Sequence, residues 1–307
     1  IAKSGDSLLI GGSQSTLYTL KNRKVNTVII QKEQKEIQFI KIDPITHDIY
    51  FSEKANLFKL EKGFRHQLII NDALVHDAWF GVGRWIWFLT INEIIGYRDG
   101  KIAYNSFAIG KVGNRFNSVV EIDSSFAWLG SNNGLYSFHI EDFEKPVCRF
   151  EYAGDTNELF KIGINDIVRT KDDRIWMASR GGGLIVKEKG RIIVLKKEDG
   201  LISNTIKCLE QAGDSSVWVG TGRGLNKVYV RNGKYFFETY TTADGIVGSE
   251  ISDMVYSKDT LYVLCKNGLS VFLPDRVNKR IPAPLIHLEK VTILGHDTLL
   301  SDEYELE

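Results

Sequence analysis

INDIVRTKDDRIWMASRGGGL, residues 164–184, is the stretch on which the reading of this 307-residue chain turns. It starts with a short alternating strand, breaks at the polar turn Lys171-Asp172-Asp173, and resumes as a second strand carrying Trp176. A glycine turn then leads into a third strand at Leu184. Period-two patterning with β-branched and aromatic enrichment between turn signals reads as antiparallel strand. Glycine directly before Leu184 supplies the positive φ that a tight hairpin demands.

The unit recurs. VWVGTGRGLNKV (217–228), AWLGSNNGLYSF (127–138) and LYVLCKNGLSVF (261–272) repeat it, and looser copies begin at Leu8, Ile49 and Ile86. Alignment gives one large apolar anchor per copy: Leu9, Tyr50, Trp87, Trp128, Trp176, Trp218 and Tyr262, at intervals of 41, 37, 41, 48, 42 and 44 residues. A second anchor follows seven or eight residues later in every copy: Leu17, Leu57, Ile94, Leu135, Leu184, Leu225 and Leu269. Fourth strands are visible as RIIVL (191–195) and KYFFETY (234–240), and no amphipathic helix is evident.

Four antiparallel strands in a unit of about forty residues is the blade signature, so the expected fold is all-β, a seven-bladed β-propeller over residues 1–280. The anchors are expected to pack between neighbouring blades rather than to form a binding box. Ile1 lies only eight residues before Leu9, against eleven from Asn165 to Trp176, so the first inner strand is short. No fourth strand is clear after Phe272. Residues preceding Ile1 are therefore expected to supply the outer strand of the last blade. Residues 281–307, opening IPAPLIHLEKVTILG, read as a proline-punctuated linker and the beginning of a second domain.

Composition limits the function. Lys+Arg and Asp+Glu balance at 39 each, which argues against a broad nucleic-acid footprint. The three cysteines lack metal or redox spacing, and the six histidines are scattered, so no metal and no cofactor is expected. No phosphate-binding glycine loop precedes a helix, and no nucleophile elbow appears, so no catalytic residue is assigned. The apolar window Trp79 to Gly96 contains Arg84, Glu93 and three glycines and is read as strands rather than a membrane span.

The pattern of residues 164–184, followed by EDGLISNTI (198–206) and repeated as WVGTGRGL (218–225) with ADGIVGSEI (243–251), resembles the two-component regulator propeller repeat. PAPLIHLEKVTILG (282–295) resembles the start of the Y_Y_Y immunoglobulin-like domain. The resemblance implies the sensor part of a Bacteroidetes-type hybrid two-component histidine kinase: periplasmic, non-enzymatic in this region, homodimeric in the whole receptor, and reaching the membrane only through downstream segments. It also implies a glycan or oligosaccharide as ligand. Two other readings stay open, a protein-interaction or dimerisation propeller without a small ligand, and a propeller lyase. The lyase reading would need a polar His/Glu cluster with shifted pKa values in the central funnel.

In an up-and-down blade the turn between strands two and three opens on the same face as the connection to the next blade. That places Arg115, Asn117, Asn132, Asn165, Arg180, Asn204, Arg223 and Glu250 on one face as the candidate ligand-binding set, suited to carboxylate, sulfate or sugar hydroxyls. The competing structural role for Asn117, Asn165 and Asn204 is to satisfy turn backbone, and for the arginines to be merely solvated.

Overall fold

The computed structural model describes residues 1–4, 7–12, 16–21, 24–29, 36–61, 66–91, 93–106, 115–144, 147–274, 291–293 and 296–298. The chain divides into two compact units, Ile1–Pro274 and Asp275–Glu307. The expected boundary at residue 281 lies outside the described residues. In the second unit, β28 (Val291–Ile293) and β29 (His296–Thr298) pair as a hairpin.

The first unit is seven small antiparallel sheets whose strands pair in chain order. Blade 1 is β1–β4 (Ala2–Ser4, Ser7–Gly11, Thr16–Lys21, Lys24–Ile29), and blade 2 is β5–β8 (Ile37–Ile42, Ile49–Glu53, Asn56–Leu60, His66–Ile70). Blade 3 is β9–β12 (Asp77–Phe80, Ile86–Leu89, Ile94–Arg98, Lys101–Asn105), and blade 4 is β13–β16 (Phe116–Asp123, Phe126–Ser131, Gly134–Asp142, Val147–Tyr152). Blade 5 is β17–β20 (Ile164–Arg169, Ile175–Ser179, Leu184–Glu188, Arg191–Leu195). Blade 6 is β21–β24 (Ile206–Gln211, Ser216–Thr221, Leu225–Arg231, Lys234–Tyr240), and β25–β27 (Ile251–Ser257, Thr260–Cys265, Gly268–Phe272) form blade 7. Blade 7 thus has three strands among the described residues, and β1 is the short inner strand anticipated. The strand expected from upstream of Ile1 lies outside the described residues. Helical segments among the described residues are 3-10 turns of three or four residues. No helix among the described residues is long and apolar enough to cross a membrane.

The anchors explain the ring. Each sits on the second strand of its blade, and five of them reach the next blade. Tyr50 meets Phe88 at 5.7 Å between centroids, Trp87 meets Phe138 at 5.2 Å, and Trp176 meets Tyr235 at 5.9 Å. Trp218 meets Tyr256 at 6.2 Å, and Lys187 lies 5.2 Å over the Trp128 ring. Trp87, Trp176 and Trp218 are fully buried, and Leu9 and Tyr50 nearly so. Trp128 and Tyr262 are only half-buried. Leu17, Leu57, Ile94, Leu135, Leu184 and Leu225 fill the positions between.

The glycine before the second anchor has positive φ in blades 4 to 7: Gly134 at 125°, Gly183 at 92°, Gly224 at 133° and Gly268 at 144°. At Gly183 a Cβ would stand 2.3 Å from the Leu195 carbonyl oxygen. Gly183→Ala is expected to cost roughly 2 kcal/mol or more, from left-handed strain plus a backbone collision that no rotamer relieves. The shift of the urea midpoint measures it, and an unchanged midpoint would contradict the geometry.

Candidate ligand site at the channel mouth

The innermost strand of each blade lines the axis. In five of these strands the pairing skips one residue: between Ile37 and Phe39, Phe116 and Ser118, Ile164 and Asp166, Ile206 and Cys208, and Ile251 and Asp253. The skipped residues are Gln38, Asn117, Asn165, Lys207 and Ser252, each an extra residue bulged out of the ladder. A bulge bends its strand and re-aims one side chain. In blade 3 the corresponding position is His76, just before β9, whose N–H bonds to the Leu89 carbonyl at 2.8 Å. Six blades thus present one polar side chain each at the same height.

Gln38, His76, Asn117, Asn165 and Lys207 come together with Arg115, Arg180 and Thr205 around a cavity of about 580 Å³. The two asparagines latch blade to blade. Asn117 Nδ2 donates to the Ile164 carbonyl at 2.9 Å, and Asn165 Nδ2 donates to the Ile206 carbonyl at 2.7 Å. Arg180 Nε donates to Asn165 Oδ1 at 2.6 Å. Arg115 Nη2 lies 3.2 Å from His76 Nδ1. Burial, helped by the Arg115 charge, pulls the His76 pKa down to about 4, so the imidazole is neutral at pH 7 and accepts from the guanidinium. Lys207 Nζ pairs with Glu250.

Beneath this mouth, the residues after the bulges of blades 4, 5 and 7, Ser118, Asp166 and Asp253, form a second tier with Asp77, which follows His76, and with Glu210 nearby. Here the carboxylates cross-link neighbouring inner strands. Asp77 Oδ2 accepts from the Val119 N–H at 2.9 Å, Asp166 Oδ2 from Leu209 N–H at 2.8 Å, and Glu210 Oε1 from Tyr256 N–H at 2.9 Å. Ser118 Oγ joins blades 4 and 5 by donating to Asp166 Oδ1 at 2.9 Å. Lys41 Nζ pairs with Asp77. Burial pushes the Asp166 carboxyl up to about 7 and that of Glu210 up to about 8, with neighbouring aspartates adding to both.

Of the candidate residues, Arg115, Asn117, Asn165 and Arg180 line the cavity. Asn132 stands behind them, its Oδ1 accepting from Asn117 Nδ2 at 3.1 Å. Asn204 serves turn backbone: its Oδ1 takes the Lys197 N–H at 2.8 Å, and its carbonyl takes the Gly183 N–H at 2.9 Å. Arg223 is exposed on the β22–β23 turn, and Glu250 meets the site only through Lys207. Gln38, His76, Thr205 and Lys207 were missed. A signal existed for two of them: His76 and Lys207 stand eleven residues before their anchors, as Asn117 and Asn165 do.

Chemically, the mouth is a ring of hydrogen-bond donors suited to recognition. A histidine and a glutamate with shifted pKa values do line the channel, as the lyase reading required. Their described side-chain bonds, however, go to Arg115 and to the Tyr256 backbone. No group of three or more metal-ligating side chains occurs among the described residues.

No protein-family model matches the chain. It is 23% identical over 314 residues to histidine kinase P4 of Formosa agariphila, covering 97% of this chain and 21% of that protein. Its fold is similar to the extracellular domain of a hybrid two-component system of B. thetaiotaomicron, with TM-score 0.74 and 19% identity over 98% of this chain and 42% of that one. It is also similar to virginiamycin B lyase of Staphylococcus aureus, with TM-score 0.66 and 13% identity over 86% of this chain and 96% of that one. The chain thus spans about a fifth of the kinase and under half of the two-component ectodomain. At these identities the likeness establishes the seven-bladed propeller, an architecture shared by receptor ectodomains and lyases.

Proposed function

We propose that this chain is the extracytoplasmic, non-enzymatic sensor propeller of a hybrid two-component receptor, and that its channel mouth binds an oligosaccharide. The observation that carries the reading is the convergence of four bulge side chains and His76 with Arg115, Arg180 and Thr205 in one cavity of about 580 Å³. That volume falls in the range of small-molecule sites. The polar lining matches sugar hydroxyls, and the blade-to-blade latches place the donors on a rigid frame. The similarity over nearly the whole chain to a histidine kinase and to a two-component ectodomain supports the sensor role. Signalling then follows from differential affinity for two arrangements of the receptor.

Calorimetric titration of the chain against a panel of oligosaccharides tests this. Saturable binding that competes with no other face is the expected outcome. Silence across neutral and acidic sugars alike would favour a protein-interaction propeller.

A further inference from the structure

We infer that the ligand of the mouth is acidic, its carboxylate or sulfate group held between Arg115 and Arg180. This rests on the mouth being the ligand site and narrows what it takes. Both guanidiniums line the same cavity and both are exposed. Among the described residues neither meets a carboxylate: Arg115 touches the His76 ring and Arg180 the Asn165 amide oxygen.

The contrast within the molecule is informative. Arg84, Arg98, Arg149, Arg169, Arg174 and Arg191 each pair with at least one carboxylate. Arg223 and Arg231 lack such a pair among the described residues, but they stand on hairpins and line none of the described cavities. Among the described residues, it is in the mouth that two guanidiniums without a carboxylate share a cavity. Their repulsion is felt, since the charge of Arg180 adds to burial in pulling the Arg115 pKa down.

An oxyanion between them relieves that repulsion and takes charge-assisted hydrogen bonds from a rigid fork on each side. His76 acts as a positioning residue. Its neutral ring accepts from one arm of Arg115 and leaves the other N–H groups for the ligand. Lys207 adds a third positive charge, offset by Glu250. Gln38, Thr205 and the free amide capacity of the asparagines fit ring hydroxyls, which points to an acidic sugar rather than a bare ion.

The test is titration of the 307-residue chain and its Arg115→Gln/Arg180→Gln variant. Ligands are oligogalacturonides, sulfated chondroitin oligosaccharides, their carboxyl-reduced and desulfated counterparts, and sodium sulfate, with thermal melts to verify folding. An acidic oligosaccharide is expected to bind the wild type, and its neutral counterpart to bind on the order of ten- to a hundred-fold more weakly. The double variant should lose the same factor, and the arm that responds tells uronate from sulfate ester. Sulfate that binds the wild type but not the variant, with every sugar silent, would uphold the anion site and remove the oligosaccharide reading. Neutral counterparts binding as tightly as acidic ones would overturn the anion inference and leave the sensor reading intact. Silence from all sugars and from sulfate would overturn both.

Discussion

Trp176→Ala is expected to destabilise the propeller by about 3–5 kcal/mol, the range for deleting a large aromatic from a packed core. Trp176 is fully buried, meets Tyr235 of the next blade edge-on, and donates from Nε1 to Thr170 Oγ1 at 3.0 Å. Truncation therefore opens a cavity at a blade junction and removes one of the hydrogen bonds of the buried Thr170 hydroxyl, which still donates to Asp172 Oδ1 at 2.6 Å. Because each blade leans on the next, the loss should appear as a shift of one cooperative transition. Trp128→Ala offers the control: its ring is only half-buried and meets the next blade through the Lys187 ammonium 5.2 Å over its face, so a smaller cost is expected. Urea unfolding of both variants checks the ordering. Near-equal costs, or a Trp176→Ala cost below about 1 kcal/mol, would contradict radial stacking.

The second large effect lies in the channel. Asp166→Ala removes the acceptor of the Leu209 N–H and of the Ser118 hydroxyl, joining blades 4, 5 and 6. Leaving such groups unpaired costs about 1–3 kcal/mol each. The same carboxyl makes stability depend on pH. Burial raises Asp166 to about 7 and Glu210 to about 8, from ordinary values of 3.8 and 4.5. Between those limits the native state holds more protons than the unfolded chain, so stability falls as pH rises through the folded values. His76, lowered to about 4, has the opposite sign, with stability rising from about 4 to its ordinary 6.5. A window from about pH 6.5 to about pH 8.5 therefore isolates the carboxyls. The melting temperature is expected to fall across it, and Asp166→Asn should flatten the slope. A slope unchanged in that variant would show that Asp166 is not the titrating group.

The repeat was legible because its signal is coarse: one bulky apolar anchor every 37 to 48 residues, a ring in all but the first copy, and in the last four copies a glycine at a positive-φ turn. The half-burial of Trp128 and Tyr262 was not legible, since burial depends on what the adjacent blade brings to each ring. The site was readable only in part. Turn residues such as Arg115 and Arg180 follow from blade topology. A bulge leaves no mark on the alternation beside it, and Gln38 reads as an ordinary outward residue of IQFIKI. The carboxylate tier was hidden for a different reason. Asp77 and Asp166 bond backbone groups 42 and 43 residues away, and a backbone N–H carries no sequence identity. Asn204 shows the converse: its side chain satisfies its own turn, as asparagine does in many loops.

A crystal structure of the chain soaked with whichever acidic oligosaccharide binds would test the central claim most directly. The account predicts a sugar in the channel mouth, its acidic group between Arg115 and Arg180 and its hydroxyls against Gln38 and Asn117. A sugar seated on the outer strands or the opposite face, with the mouth filled by solvent, would contradict it.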